Sequence, residues 1–480
     1  MTRFISATAV ATLVGGFDRA PAYAGLAEAL RALIADGRIG HGARLPSERE
    51  LTESLGVSRT TVTRAYAALR DRGYAEARRG AGTFTRVPGG PGRAPDRVLT
   101  PRTDATDLID LNCAAAPAPP GVGAAYEAAM AELPGYLVDH GYYPVGLPEL
   151  QRTIAASYDA RGLPTDPDQI MVTPGALAAT AVVASALTGP GDRIVAEVPG
   201  YPNAAGALGV RPTRLVGASL DVEGWDLAGI AATIRQTAPR LVHTIPDFQN
   251  PTGNLMPDAQ REEYAAVLAS ARTVALVDEA HQALALDGQQ MPLPMAAYVE
   301  AAGGEAITVG STSKMLWGGL RVGWVRTPRA RMDALTQARL TLDLGVPVFE
   351  QLVAAHLLRA PQEILEAHRE RLREQRDALV ASVARELPDW RFRTPTGGLA
   401  LWCELPRAEA SSLALEAEGR GVVFAPGPVF SAEGGYERFV RIPWTRPVDE
   451  LEQAVTRIAE AWRVDQAPNT RRTPERVMVA

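Results

Sequence analysis

Ala306-Ile307-Thr308-Val309-Gly310-Ser311-Thr312-Ser313-Lys314 is an apolar, β-branched run that stops on small hydroxyl residues and then on a lysine. Two comparable runs precede it. Arg240-Leu241-Val242-His243-Thr244-Ile245-Pro246 leads to Asn250-Pro251-Thr252-Gly253, and Thr273-Val274-Ala275-Leu276-Val277 leads to Asp278. Helical stretches alternate with these runs, which predicts an α/β architecture with a mostly parallel sheet. Ligands of such sheets bind beyond the carboxyl ends of the strands. Asn250, Asp278 and Lys314 therefore share the rim of one predicted site.

Lys314 is the only lysine among 480 residues, against 48 arginines. Average usage would give on the order of 25 lysines in a chain of this size. Arginine replaces lysine as a solvated charge but not as a reacting amine. A nucleotide-binding P-loop needs Gly-Lys-Ser/Thr and is excluded, and with it a helicase reading of Asp278-Glu279-Ala280-His281. Cys113 and Cys403 are too few for a disulfide framework or a zinc site and point to a reducing compartment; no metal site is expected. With 46% hydrophobic and 22% charged residues, the chain reads as a soluble protein of two to four domains. Residues 1–24 superficially resemble a signal peptide, but Ser and Thr interrupt the apolar run. No window reaches the 18 apolar residues of a membrane span, so a cytoplasmic protein without a membrane partner is expected.

Residues 1–92 carry 13 Arg and 8 Asp plus Glu, a charge of +5, while the whole chain carries −6. A small basic module thus precedes a large acidic one, and the asymmetry suggests a polyanion partner for the first. The Pro/Gly-rich stretch after Arg86 reads as a linker. The predicted division is 1–86, a linker over 87–106, a main domain over 107–465 and a tail over 466–480.

In the basic module, Ser47-Glu48-Arg49-Glu50 is a capping box, and its helix ends near Leu55-Gly56-Val57. Ser58 then caps a second helix with Val62, Ala65, Tyr66 and Leu69 inward. That helix opens on Arg59-Thr60-Thr61, suited to base edges and phosphates at the end that enters a major groove. Tyr74 to Thr85 reads as a hairpin with Arg78-Arg79-Gly80-Ala81-Gly82 at its tip. Over residues 20–86 the pattern resembles the winged helix-turn-helix of GntR-type regulators. The resemblance implies that Arg49, Arg59, Thr60 and Gly80 face double-stranded DNA, and Ser58 and Arg79 join them as candidate contacts. Where the family often has Arg in mid recognition helix, this chain has Thr63 followed by Arg64.

One amine, one carboxylate and one amide at the rim suit pyridoxal 5'-phosphate. Lys314 would form the Schiff base, Asp278 would keep the pyridine nitrogen protonated, and Asn250 would bond the phenolic oxygen. Gly175 and Ala176 at a helix start, Ser311 and Arg321 are donors for the phosphate. Tyr201 would stack on the ring, and Arg441 would clamp an amino acid carboxylate. Over residues 107–465 the ordered set resembles the fold-type I aminotransferases, which implies a large α/β domain and a small α+β domain. Those enzymes have Tyr three residues after the pyridine-binding Asp, where this chain has His281, whose charge is expected to vary near neutral pH. Tyr142, in Gly141-Tyr142-Tyr143-Pro144, resembles the residue that reaches a neighbouring subunit's phosphate, with a spacing one shorter.

A GntR-type winged helix followed by an aminotransferase-like domain resembles the MocR-type regulators. That resemblance implies a homodimeric transcription regulator that binds promoter DNA at two half-sites and senses pyridoxal phosphate or an amino compound. The alternatives are a working aminotransferase carrying a DNA-binding arm and a cofactor-free scaffold that only dimerises the arms.

Overall fold

The computed structural model describes residues 5–35, 39, 43–78, 81–86, 108–220, 224–359, 361–432 and 434–466. The expected linker over 87–106, the wing residues Arg79 and Gly80, and the tail beyond Gln466 lie outside the described residues.

The N-terminal module contains helices α1 (Ala7–Val14), α2 (Ala22–Ala35), α3 (Glu48–Leu55) and α4 (Arg59–Asp71), then strands β1 (Ala75–Arg78) and β2 (Gly82–Thr85). The capping box forms: Glu50 N donates to Ser47 Oγ at 3.3 Å and Ser47 N to Glu50 Oε2 at 2.8 Å. Caps of this kind contribute about 1 kcal/mol. Gly56, at φ +62°, ends α3 in the left-handed conformation. Val62, Ala65, Tyr66 and Leu69 are buried, and Tyr66 Oη donates to Pro46 O at 2.9 Å. The apolar run that superficially resembles a signal peptide supplies α1, whose Val10 and Val14 are buried in the same core as Leu26, Leu30 and Leu51.

The large domain begins with β3 (Ile109–Asp110), α5 (Val122–Glu132), α6 (Pro148–Asp159) and β4 (Ile170–Thr173). Alternation follows: α7 (Ala176–Leu187), β5 (Arg193–Val198), α8 (Pro202–Leu208), β6 (Arg214–Ser219), α9 (Leu227–Thr237) and β7 (Leu241–Thr244). It continues through α10 (Asp258–Ala271), β8 (Val274–Asp278), α11 (Met295–Ala301), β9 (Glu305–Ser311) and the short α12 (Thr312–Met315). The last elements are β10 (Gly323–Arg326), α13 (Arg329–Leu340) and α14 (Val348–Arg359). The sheet order is β4-β10-β9-β8-β7-β5-β6, with β10 antiparallel to both neighbours and the pairs from β9 to β6 parallel. Its two faces are covered by separate apolar clusters, so the central strands read as continuous apolar runs rather than alternating ones.

The small domain comprises α15 (Pro361–Glu386), β11 (Arg391–Phe392), β12 (Ala400–Glu404) and α16 (Ala410–Glu418), then β13 (Val422–Val423), β14 (Ala425–Pro426), β15 (Phe439–Pro443) and α17 (Val448–Gln466). An antiparallel sheet, β11-β12-β15-β14, packs on these helices around Leu379, Leu401, Ile442 and Trp444. β13 pairs in parallel with β3, which ties the start of the large domain to the small one. The N-terminal module touches the small domain where Arg31 Nη1 donates to Ala408 O at 3.1 Å. Among the described residues no helix is long and apolar enough to cross a membrane.

Candidate functional site

Strands β7, β8 and β9 end side by side, with Thr244 in register with Val277 and Asp278 with Val309. The chain leaves β9 directly into α12, where Ser311 accepts from Ser313 N at 3.1 Å. Lys314 thereby shares one cleft with Asn250, Asp278, Tyr201, Arg321 and Arg441. Buried Glu197, on β5, pins the frame. Its Oε1 accepts from Trp225 Nε1 at 2.7 Å, Thr244 Oγ1 at 2.5 Å and Ile245 N at 3.1 Å. Its Oε2 accepts from Gln249 Nε2 at 3.2 Å, while Gln249 Oε1 accepts from Thr252 N at 3.0 Å and so holds the turn that carries Asn250.

Lys314 Nζ donates to Ala114 O at 2.7 Å. Burial lowers its pKa; Cys113 opposes the shift and Arg441 adds to it. A lowered pKa keeps more of the amine in the neutral, nucleophilic form. Asp278 behaves as an acid waiting for a cation: burial pushes it up to about 6, even though Ala280 N donates to it at 2.9 Å. A protonated ring nitrogen at that carboxylate would restore its charge.

His281 lines the cleft with Nδ1 2.9 Å from Phe248 O. A carbonyl only accepts, so Nδ1 carries the proton of the neutral ring and Nε2 is an acceptor. Burial, with Lys314 adding to it, pushes His281 down to about 4. The expectation that its charge varies near neutral pH is thereby corrected: the imidazole is neutral there, with Nε2 as its hydrogen-bond acceptor. Burial likewise raises Tyr201 to about 12, keeping its phenol protonated.

Gly175 precedes α7 at φ +97°, a conformation that L side chains rarely adopt, and a Cβ there would stand 2.8 Å from Arg321 Nη2. Arg321 donates to Pro174 O at 2.8 Å and to Gly318 O at 3.3 Å. Ala176 at the start of α7, Ser311, Ser313 and Arg321 all line the cleft, a donor set fitted to a phosphate.

Arg441 is 1% exposed, and its Nη1 donates to Asn250 Oδ1 at 3.2 Å while Nη2 donates to Asn112 O. Nε has no partner, and among the described residues Arg441 forms no ion pair, although the negative charge of Asp110 acts on it. Burial lowers its pKa to about 10, which leaves it cationic at neutral pH. A buried guanidinium that forms no ion pair is suited to receive a carboxylate.

The structure brings together all the expected cofactor and carboxylate residues except Tyr142. That residue is 58% exposed, stacks on His140 at 5.7 Å and does not line the cleft of its own chain. Sequence reasoning missed Ser313, Cys113 and His368. Ser313 was signalled by its hydroxyl one residue before Lys314. Cys113, which lines the cleft, and His368, whose Nε2 lies 3.2 Å from Lys314 O, carry no local signal.

On the N-terminal module, Arg49 and Arg59 have side chains 85% and 77% exposed, near Glu53 at 3.1 Å and Glu48 at 3.7 Å. Thr60 is exposed on the first turn of α4. Ser58 caps that helix, its Oγ accepting from Thr61 N at 3.1 Å. Arg64 packs over the ring of Tyr23 at 3.8 Å.

The family model for aminotransferase class I and II matches residues 138–458, and that for bacterial regulatory proteins of the gntR family matches residues 22–85. The chain is 30% identical over 299 residues to a 2-aminoadipate transaminase of Thermus thermophilus, covering 62% of this chain and 75% of that relative. It is 28% identical over 450 residues to the uncharacterized HTH-type transcriptional regulator YdcR of Escherichia coli, covering 87% and 94%. The HTH-type transcriptional regulator TauR of Rhodobacter capsulatus is 28% identical over 475 residues, with 90% and 94% covered. The crystal structure of LysN, the alpha-aminoadipate aminotransferase of Thermus thermophilus complexed with N-(5'-phosphopyridoxyl)-L-leucine, superposes with a TM-score of 0.68 at 27% identity. The match covers 75% of this chain and 94% of that one.

Proposed function

Because the chain belongs to the class I and II aminotransferase family and carries a gntR-type regulatory domain ahead of it, we propose that it is a MocR-type transcription regulator whose large domain senses an amino compound. The observation that carries this reading is the buried guanidinium of Arg441, in no ion pair among the described residues, in the same cleft as Lys314 and Asp278. The cofactor of this family, pyridoxal 5'-phosphate, supplies a carbonyl for the amine and an electron-withdrawing ring when bound. Lys314 would hold it through a Schiff base, and Asp278 would keep the proton on its ring nitrogen. Asn250 and His281 would flank its phenolic oxygen, with Tyr201 against the ring. The start of α7 at Gly175 and Ala176, with Ser311, Ser313 and Arg321, would bind its phosphate.

Arg441 would then take the carboxylate of an amino acid effector. Differential affinity for two arrangements of the domains would shift how the winged helices sit on DNA. Arg49, Ser58, Arg59 and Thr60, with Arg79 and Gly80 on the wing, would meet the duplex. A homodimer is supported by the exposed apolar residues Leu137, Val138 and Leu342 on the large domain. Exposed Tyr142 would reach the partner's phosphate. The domains would divide as a DNA-binding module over 1–86, a linker over 87–106, a sensing domain over 107–465 and a tail over 466–480.

The deciding experiment is binding of the full chain to the DNA upstream of its own gene, with and without pyridoxal phosphate and a panel of amino acids. Affinity changing with both cofactor and one amino acid is expected; operator binding indifferent to all of them would overturn the sensing role. A second reading, a working transaminase with a DNA-binding arm, is favoured by the complete cofactor set and by the 30% identity to a transaminase. Sustained turnover of an amino donor and a keto acceptor would select it.

A further inference from the structure

Residues 109–117 form a strap between the small domain and the rim of the cleft. Ile109 N donates to Gly421 O at 3.0 Å and Leu111 N to Val423 O at 2.7 Å, which pairs the start of the strap with β13. Ile109, Leu111 and Ala116 are buried in the apolar core of the small domain. Three successive carbonyls then take three different donors. Asn112 O accepts from Arg441 Nη2, Cys113 O from Thr445 Oγ1 at 3.3 Å and Ala114 O from Lys314 Nζ at 2.7 Å. Arg441 and Thr445 lie on and just after β15 of the small domain, whereas Lys314 lies on α12 of the large one. The bond from Nζ is thus a tie between the two domains, made by the one amine that the cofactor needs.

The tie and the Schiff base draw on the same hydrogens. A neutral amine that condenses with an aldehyde forms the carbon–nitrogen double bond by giving up both of its hydrogens, which leave with the carbonyl oxygen as water. A carbonyl only accepts, so Ala114 O then loses its donor. The strap also leads toward the DNA-binding module. In sequence it continues residues 87–107, which join it to that module. The module rests on the small domain as well, through Arg31 Nη1 and Ala408 O at 3.1 Å.

We propose that the bond between Lys314 Nζ and Ala114 O is a latch worked by the cofactor. Closed, it ties the strap and the small domain to the large domain. Opened by Schiff-base formation at Lys314, it lets the strap shift and passes the change to the N-terminal module. This inference rests on the function proposed above and adds to it the residues that would report the cofactor. One hydrogen bond sets the size of the effect, about two- to tenfold in an equilibrium.

Two variants that cannot form the Schiff base separate the latch from the cofactor. Lys314→Met keeps a stem of similar length and has no donor, whereas Lys314→Arg keeps a donor without a reacting amine. Binding to the DNA upstream of the chain's own gene is measured for both full-length variants, and for the unaltered chain with and without pyridoxal phosphate. The Met variant should differ from the Arg variant by about two- to tenfold, in the direction in which pyridoxal phosphate moves the unaltered chain. Neither variant should respond to the cofactor. Equal affinities in the two variants, while the unaltered chain responds, would overturn the latch and leave the sensing function standing. An unaltered chain that does not respond would overturn both. A second measurement needs no variant: hydrogen exchange at the amides of Ile109 and Leu111 should quicken about threefold or more when pyridoxal phosphate is added. Unchanged or slower exchange there would overturn the latch.

Discussion

His368 Nε2 lies 3.2 Å from the carbonyl oxygen of Lys314. Arg371 Nη2 donates to the other ring nitrogen of His368 at 2.9 Å and to Pro117 O at 2.9 Å. The guanidinium can only donate and the carbonyl can only accept, so Nε2 carries the proton and the tautomer is fixed. Lys314 Nζ meanwhile donates to Ala114 O at 2.7 Å, so main chain and amine of one residue are held against the single segment 114–117.

His368→Ala should therefore loosen the turn that presents the amine. Thermal unfolding should show a loss of about 1–3 kcal/mol, the cost of leaving a buried partner unpaired. The Schiff-base absorbance should form with lower affinity for pyridoxal phosphate. His368→Gln, which keeps an N–H at similar reach, should recover part of both. Cofactor affinity equal to that of the unaltered chain would show that His368 only fills space.

Lys314→Ala should abolish the Schiff-base absorbance without unfolding the chain, because Nζ makes one hydrogen bond, to Ala114 O, and its burial disfavours the charge. Absorbance that persists in this variant would remove the basis of the whole cleft assignment.

Asp278 gives a pH dependence whose sign can be worked out. Burial raises it from 3.8 to about 6 in the folded chain, so the folded state binds its proton more tightly than the unfolded one. In the cofactor-free protein its contribution to stability is greatest below pH 3.8 and is lost as pH rises through about 6. A shift of that size corresponds to roughly 3 kcal/mol. A protonated pyridine ring needs the ionised carboxylate, so affinity for pyridoxal phosphate should rise across the same interval. Asp278→Asn should flatten that part of the profile in a spectroscopic titration at pH 5 to 8. An unchanged profile would mean that another group controls it.

Much of this was legible because strand ends leave a strong local pattern. β-branched runs stopping on Asn250, Asp278 and Lys314 predicted both the sheet and its rim, and the lone lysine marked the reactive amine. Interactions made between distant segments left no such trace. Ala114 lies 200 residues from Lys314, and His368 lies 54 residues from it on another domain's helix. The neutral charge of His281 was not legible for a related reason: sequence gives the imidazole but neither the Phe248 carbonyl that fixes its tautomer nor the burial that keeps it neutral. Tyr142 stays on the surface of its own chain, and its proposed reach to a partner's phosphate has no counterpart within one chain.

Arg441→Lys should uncouple the response to amino acids from cofactor binding. The guanidinium donates to Asn250 Oδ1 and Asn112 O with Nε buried and unpaired, and the residue lines the cleft. An ammonium cannot match a carboxylate in two parallel bonds. Without that pairing an amino acid should bind about 2–3 kcal/mol more weakly, or 30- to 150-fold. The Schiff-base absorbance with pyridoxal phosphate alone should remain. Amino acid titration followed at that band is the check, and an unaltered midpoint would move the carboxylate site elsewhere.

Arg59→Ala should weaken operator binding and reduce its salt dependence together. The side chain is 77% exposed at the start of α4, and an exposed ion pair such as the one it makes with Glu48 at 3.7 Å is weak enough to yield to a phosphate. Removing one cation that neutralises a phosphate lowers the slope of log affinity against log salt by about 1. Ser58→Ala acts through the helix instead: without its bond from Thr61 N the chain should be about 1 kcal/mol less stable, with the salt slope unchanged. Fluorescence anisotropy of a labelled operator across a range of salt concentrations separates the two variants. A slope unaffected by Arg59→Ala would take α4 off the phosphate backbone, and with it the assignment of this helix as the one that enters the groove.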